Sequence, residues 1–490
     1  MKRIRISLCI ALFSSAVLQT EAQFDESSVF LAFKPKETPA EKWSENTILR
    51  NPQTYDTLTT ELHSSKQSLN LPEKQKYAAT ETETEKNESL SADFEIRQRT
   101  EYRNGYSTLP NPSDNPALLC FQRTRAGINY SSGKITTAFH LQDVRTWGES
   151  KAKLDAPSVG VYEAWLEVRL NDYSSLKLGR QSLKYDDQRF LSNTDWNNVA
   201  TSHDLALLKL EKGASLMHLG LAYNNDKDKL FENNYPVDFY KAMQFLYASK
   251  KFENGISISL LEIVDGYQKA ASNKTVFFRN TAGLNAGYKT SNGKFEIAGS
   301  GYKQGGTDKT GNKINANFYS LKASFKMNSK FTLSLGNDHY SGTNNLDTAN
   351  TINGAFNNLF GSGHAFCGYM DYFTVVDAHT KAGGLSDSYA KLFFTLGKNA
   401  SIGLDYHYFV LANNVIDTEN LTELSSLDKS LGSEFDLTFI YKVEKNFVLK
   451  MGYSTMFATK SMSAIKGGDF NEFADWAYVS LTFTPKAVLK

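Results

Sequence analysis

The stretch FEIRQRTEYR, residues 94–103, carries a charge at every second position. Glu95, Arg97, Arg99, Glu101 and Arg103 share one parity, and Phe94, Ile96, Gln98, Thr100 and Tyr102 share the other. Successive side chains of a strand point to opposite faces, so the segment predicts a strand with one wholly charged face. Whether that face meets bulk water or the inside of a closed wall decides the fold.

The same texture continues through the chain. In FQRTRAGINY, residues 121–130, Arg123, Arg125, Gly127 and Asn129 alternate with Thr124, Ala126, Ile128 and Tyr130. Further on, Tyr162, Ala164, Leu166, Val168 and Leu170 alternate with Glu163, Trp165, Glu167 and Arg169, and DLTFIYKV (436–443) and YVSLTFTP (478–485) behave similarly. Short connections such as 131–133, 212–214 and 444–445 take strict turns with long ones such as 186–201, 341–385 and 412–432. The tally is about 18 strands, each near the length a membrane-crossing strand needs. A transmembrane antiparallel β-barrel has this even strand number, with short periplasmic turns and long outer loops. A soluble propeller or β-solenoid would repeat a motif per blade or coil, and no such repeat occurs. The expected fold is therefore an all-β outer-membrane barrel over residues 92–490. On a lipid face each Arg or Lys costs about 2–4 kcal/mol at mid-membrane. Arg97, Arg99, Arg103, Arg123 and Arg125, with Glu95 and Glu101, must then point inward. Like charges on neighbouring strands repel, so either inward carboxylates compensate them or a polyanion passes.

Residues 1–22 read as a signal peptide: Lys2, Arg3 and Arg5 precede the mostly apolar 6–18, and Thr20-Glu21-Ala22 suits cleavage. The destination is the outer membrane of a Gram-negative bacterium. Residues 23–91, with KQKYAATETETEKNESLS, are polar and aperiodic, and read as a mobile extension. A plug entering the lumen is the sharper reading; a tether is its rival, and the segment could reach a periplasmic partner. The net charge of +1 argues for no nucleic-acid partner. Of Cys9, Cys120 and Cys367, the first leaves with the signal; spacing leaves pairing of the other two open.

The densest local signal is LKLGRQSLKYDDQRFLSNTDWNNVATSHDLALLKLE, residues 176–211. Leu176 and Leu178 face out, so Arg180 does too, unless a bulge re-aims it or it stands above the hydrocarbon. Tyr185, Asp186, Asp187 and Arg189 open a long loop; local salt bridges alone could hold it, and adjacent aspartates are a weak cation signal. NNLFGSGHAFCGYMDYF, residues 357–373, combines three glycines with Phe360, Phe366, Met370, Tyr372 and Phe373. Such side chains need shelter, so this loop is expected to fold inward, with Phe360, His364, Phe366 and Asp371 narrowing the lumen. His364 lacks a nearby nucleophile pattern, His407 sits mid-strand, and no H-E-x-x-H or paired-cysteine spacing occurs. No metal, cofactor or enzymatic activity is expected.

These motifs resemble the alginate export family of outer-membrane proteins. The likeness rests on Gly179-Arg180-Gln181, Tyr185-Asp186-Asp187, Arg189, Asp195-Trp196 and Asp204, on Leu359-Phe360-Gly361, Gly363-His364, Phe366, Gly368, Met370 and Asp371-Tyr372-Phe373, and on the first strand. It spans roughly 92–485, leaving out the extension. It implies an 18-stranded monomeric barrel whose arginine-lined lumen passes a uronate polymer. By motif position the inward basic set would be Arg97, Arg99, Arg123 and Arg125, with Arg145 and Arg180; Arg103 and Arg189 are further candidate pore residues. The expected function is a passive channel for an anionic polysaccharide or another anionic or polar solute. A general diffusion porin is the alternative, ahead of a structural adhesin-like barrel or a barrel enzyme.

Deleting residues 23–91 should leave the heat-dependent gel shift of the folded barrel unchanged. Loss of that shift would show that the extension is part of the fold.

Overall fold

The computed structural model describes residues 88–150, 158–231, 234–269, 275–418 and 424–489. The expected signal peptide and residues 23–87 of the extension lie outside the described residues. The strands are β1 (Ser89–Asn104), β2 (Ala117–Ser132), β3 (Ile135–Thr146), β4 (Val159–Asn171), β5 (Ser174–Gln181), β6 (His203–Lys212), β7 (Ser215–Tyr223), β8 (Ala242–Lys251), β9 (Ile256–Gln268) and β10 (Val276–Lys289). They continue as β11 (Phe295–Gly306), β12 (Ala316–Lys326), β13 (Phe331–Tyr340), β14 (Leu385–Leu396), β15 (Ala400–Leu411), β16 (Ser430–Glu444), β17 (Phe447–Ala458), β18 (Ala474–Phe483) and β19 (Lys486–Leu489). From β1 to β18 each pairs antiparallel with its neighbours in sequence, and β18 returns to β1, with Arg97 opposite Thr482 and Arg103 opposite Trp476. Because β19 also pairs with β1, beyond Thr484-Pro485, the last two strands form one stave, and the closed barrel has 18. Proline has no N–H to give the ladder, which accounts for the break; the Pro485 carbonyl still accepts the Phe94 N–H at 3.1 Å.

Closure removes both edges, so every strand satisfies its backbone internally. Parity then sorts the side chains. Phe94, Ile96 and Tyr102 are exposed on the outward face while Arg97, Arg99 and Glu101 are buried on the inward one. Outward aromatic residues ring both rims: Tyr102, Tyr223, Phe278, Tyr319 and Phe457 toward the long loops, and Tyr288, Phe325, Phe394, Tyr441 and Phe483 toward the short turns. Such girdles mark the two interfaces of a membrane barrel. Tyr162 departs from the alternation expected of it. The β3–β4 register shifts between His140 and Leu141, which adds one residue opposite and turns Tyr162 into the lumen beside Glu163.

The long connections stand at one end. Among the described residues of these connections are two short helices, α1 (Val376–His379) and α2 (Lys460–Lys466). Cys120 and Cys367 are both free thiols, the first on the outward parity of β2 and the second buried inside.

Leu404 and Leu437 face each other across β15 and β16, midway along the outward surface. Leu437→Arg should cost about 2–4 kcal/mol, read from the urea midpoint for refolding into vesicles. An unchanged midpoint would mean that this face does not meet lipid.

Candidate functional site

The inward face of β1 and β2 brings five arginines onto one wall. Arg97 stands directly opposite Arg123, and Glu95 opposite Arg125. Each guanidinium carries five N–H donors and cannot shed its charge. Their partners come from the β5–β6 loop (182–202), which folds into the barrel. Arg97 Nη2 donates to the Asn197 carbonyl at 2.6 Å, and Arg99 Nη1 to that of Trp196 at 2.6 Å. Arg123 Nη1 donates to the carbonyls of Asp195 and Asn197 at 3.0 and 3.1 Å. The Asp195 carboxylate takes Arg123 Nη2 at 2.9 Å and Arg125 Nη1 at 2.8 Å. Burial pushes the Asp195 carboxyl upward, but the charges of Arg123, Arg125 and Arg97 outweigh it and hold the group well below the ordinary carboxylate range. Its side chain nevertheless keeps 35% of its exposure, so the pair remains open on one side.

Two inward carboxylates complete the wall. Glu95 accepts Arg123 Nε at 2.6 Å. Glu101 forms an ion pair with Arg99 at 2.7 Å and accepts the Arg103 Nε–H at 2.9 Å and the Trp476 indole N–H at 3.1 Å. Arg99 lies 3.9 Å over the Trp196 ring, and Arg125 the same distance over Tyr162.

The other basic residues of the expected set lie elsewhere. Arg145 is a correction: it sits opposite Gln122 on the outward parity, exposed, and pairs with Asp143 at 2.8 Å. Arg180 is another: it follows the parity of Leu178 outward and pairs with Asp204 at 3.0 Å on the neighbouring strand. Both are at the loop ends of their strands, where a charged head meets water or headgroups and not hydrocarbon. Arg189 is inside but faces the opposite side of the loop. It donates to Asp338 at 2.7 Å and to the Tyr340 hydroxyl at 3.0 Å, and packs 3.8 Å from Phe366.

The β13–β14 loop (341–384) also folds inward, and the two loops join. Ser192 N–H donates to the Phe360 carbonyl and Phe360 N–H to that of Phe190, each at 3.1 Å. A side chain at Gly361 would collide with the Arg189 carbonyl, so only glycine permits this approach. Phe360 packs among Phe239, Tyr240 and His203. His364 stacks on Trp196 at 4.5 Å and meets Asp371 at 2.8 Å, and Asp371 also accepts the Tyr106 hydroxyl. On β16, three staves from β1, the buried Glu434 accepts the Met370 N–H at 2.7 Å, and Gly368, at positive φ, leaves room for that carboxylate. Beside it His407 meets Asp387 at 2.8 Å. Around this joint Phe190, Leu191, Phe356, Met370, Tyr372 and Phe373 pack with wall residues Phe318, Tyr340 and Phe409 into one apolar core.

Sequence reasoning did not assign Glu434 or Tyr162 to the interior. The alternation Glu434, Asp436 in β16 carries the same signal as the opening stretch; the bulge that turns Tyr162 has none of its own.

The barrel superposes on outer-membrane porin barrels. OpdK of Pseudomonas aeruginosa, solved with vanillate, matches at TM-score 0.53 and 11% identity, over 81% of this chain and 99% of that one. OpdO of the same organism matches at 0.54 and 14%, over 82% and 98%. OccAB4 of Acinetobacter baumannii matches at 0.55 and 10%, over 81% and 98%. At these identities the likeness is one of fold. Comparison with curated proteins gave no match. The profile of the family described as Alginate export matches residues 88–226 and 254–470, and the chain belongs to that family. It is an outer-membrane channel protein of a Gram-negative bacterium, its outward face in contact with lipid.

Cys367 is 3% exposed and sits in the joined loops. With Cys120→Ser, a maleimide should leave Cys367 unlabelled in the folded barrel. Gly361→Val should raise the labelling rate about tenfold, as a core-strain change of 1–2 kcal/mol would. Rapid labelling of the parent would mean that the loop is not seated.

Burial pushes the Asp186 carboxyl up to about 6, against hydrogen bonds donated by Ser259, Tyr247 and Asn285. The folded state thus holds this proton more tightly than the unfolded chain, where the group titrates near 4. Its contribution to stability is complete below that value and is lost as pH rises through about 6. The thermal midpoint of Asp186→Asn minus that of the parent should therefore rise between pH 4 and 7. A pH-independent difference would contradict this.

Proposed function

We propose that the barrel passes an anionic polysaccharide, with Arg97, Arg99, Arg123 and Arg125 as the groups that meet its carboxylates. The observation that carries this is the seat of Asp195. A carboxylate already occupies the fork between Arg123 and Arg125, at 2.9 and 2.8 Å, and stays partly exposed. A uronate carboxylate has the same charge and the same two acceptor oxygens, so exchange with Asp195 conserves the charge-assisted bonds. The mechanism is passive: several such contacts in a row bind a polyanion without trapping it. Family and fold are those of a transport channel, and the reading gives the protein no catalytic role. The barrel would act as a monomer, and the residues ahead of β1, 23–88, would supply any periplasmic contact. Residues 1–22 remain a proposed signal peptide.

A second reading is a porin for small carboxylates. The joined loops fill much of the lumen, which favours a small solute, and the related fold of OpdK was solved with vanillate. Block by oligouronates of increasing length separates the two, because only a polymer path makes block lifetime grow with length.

In planar bilayers the reversal potential across a salt gradient should report anion preference. Arg125→Gln should move it toward zero and shorten oligouronate block about 10–100-fold, since a charged hydrogen bond contributes about 1.5–3 kcal/mol. Cation preference in the parent would overturn the proposal, because the inward Glu95, Glu101, Glu163 and Glu167 would then dominate.

A further inference from the structure

Below the joined loops, toward the short turns, the inner wall changes character. From β8 to β17 the inward parity carries Lys251, Lys289, Lys322, Lys326, Lys442 and Lys450, each within five positions of a short turn. Their parity is that of buried Phe245 on β8, Arg279 on β10, Phe318 on β12, Asp436 on β16 and Ser454 on β17, so they point to the lumen and not to lipid. Against them stand Glu296, paired with Lys289 at 3.1 Å, and Glu444 at the β16–β17 turn. The turns themselves add Lys294, Lys330, Lys398 and Lys445, opposed by Glu253. Between the lysines the same face is small: Ser257 opposes Gly287, Gly287 opposes Ala298, and Ser324 opposes Glu296. Small side chains leave width there, where the level above is packed with aromatic rings. The long connections at the other end mix signs closely, as in Asp226-Lys227-Asp228-Lys229.

We propose that this lysine arc is a capture vestibule for the polyanion on the short-turn, periplasmic side, loading the chain before it reaches the arginine wall. The inference rests on the polysaccharide reading above and adds to it a site and a side of entry. The two cations suit the two tasks. An ammonium is a compact, strongly hydrated point charge on a flexible stem, so it attracts a polyanion without fixing its orientation. The guanidinium fork then selects carboxylates by geometry. A cleft lined by one sign of charge focuses the field and raises association rates by about 10–1,000-fold, and the gain falls with ionic strength.

The test uses the full mature chain in planar bilayers, with oligouronate added to one side at a time. In Lys322→Gln/Lys442→Gln/Lys450→Gln the rate of block from the short-turn side should fall about tenfold at low salt. Block lifetime should stay as in the parent, because the arginines set it, and the difference should vanish in 1 M salt, where the Debye length is about 3 Å. The charge-conserving Lys→Arg triple variant should recover the rate, which separates lost charge from misfolding. An unchanged rate, an equal loss from both sides, or no recovery with arginine would overturn the inference while leaving the polysaccharide reading standing. No block of the parent from either side would overturn both.

Discussion

Arginines on the inward face of β1 and β2 demand partners, and much of the interior is arranged to supply them. Arg97 and Arg123 are directly opposed, an arrangement that repels unless compensated. Removing one partner of a buried charge costs about 3–5 kcal/mol, so this wall cannot stand bare of its acceptors. The carbonyls of residues 195–197, the Asp195 carboxylate and the inward Glu95 and Glu101 meet that demand together. The β5–β6 loop is thus held in the lumen from the wall side.

From the other side the same loop is braced by Arg189 on Asp338, and the β13–β14 loop by Glu434 on the Met370 amide. The backbone joint at Phe360 makes the two loops one body. In the proposed passage the anchors of this body exchange partners with the cargo. Asp195 is the anchor best suited to exchange, because it is ionic, partly exposed and chemically like the proposed cargo. Glu434 and Arg189 are fully enclosed and hold the fixed end.

Much of this was legible in the sequence. Strict alternation in FEIRQRTEYR and the turn-taking of short and long connections led to an 18-stave barrel with the arginines inside, because period and parity are local properties. Three glycines among five large apolar residues told that 357–373 needs shelter. What escaped was set by tertiary register. The bulge at His140 reverses Tyr162, and no residue there announces it. Arg145 was carried by likeness without a parity argument, and Arg180 was carried against one; parity put both outside. The infolding of 182–202 was hidden because its anchor is backbone carbonyl, which every sequence has, and its partners lie on strands 70 to 100 residues away.

The claim that cargo carboxylates take the place of Asp195 is tested most directly by hydrogen exchange of the 182–202 segment, followed by mass spectrometry, with and without oligouronate at a blocking concentration. The account predicts faster exchange in that segment when the channel is blocked, as the loop gives up its seat on Arg123 and Arg125, while the strands stay protected. Unchanged or slower exchange in 182–202 under full block would contradict it.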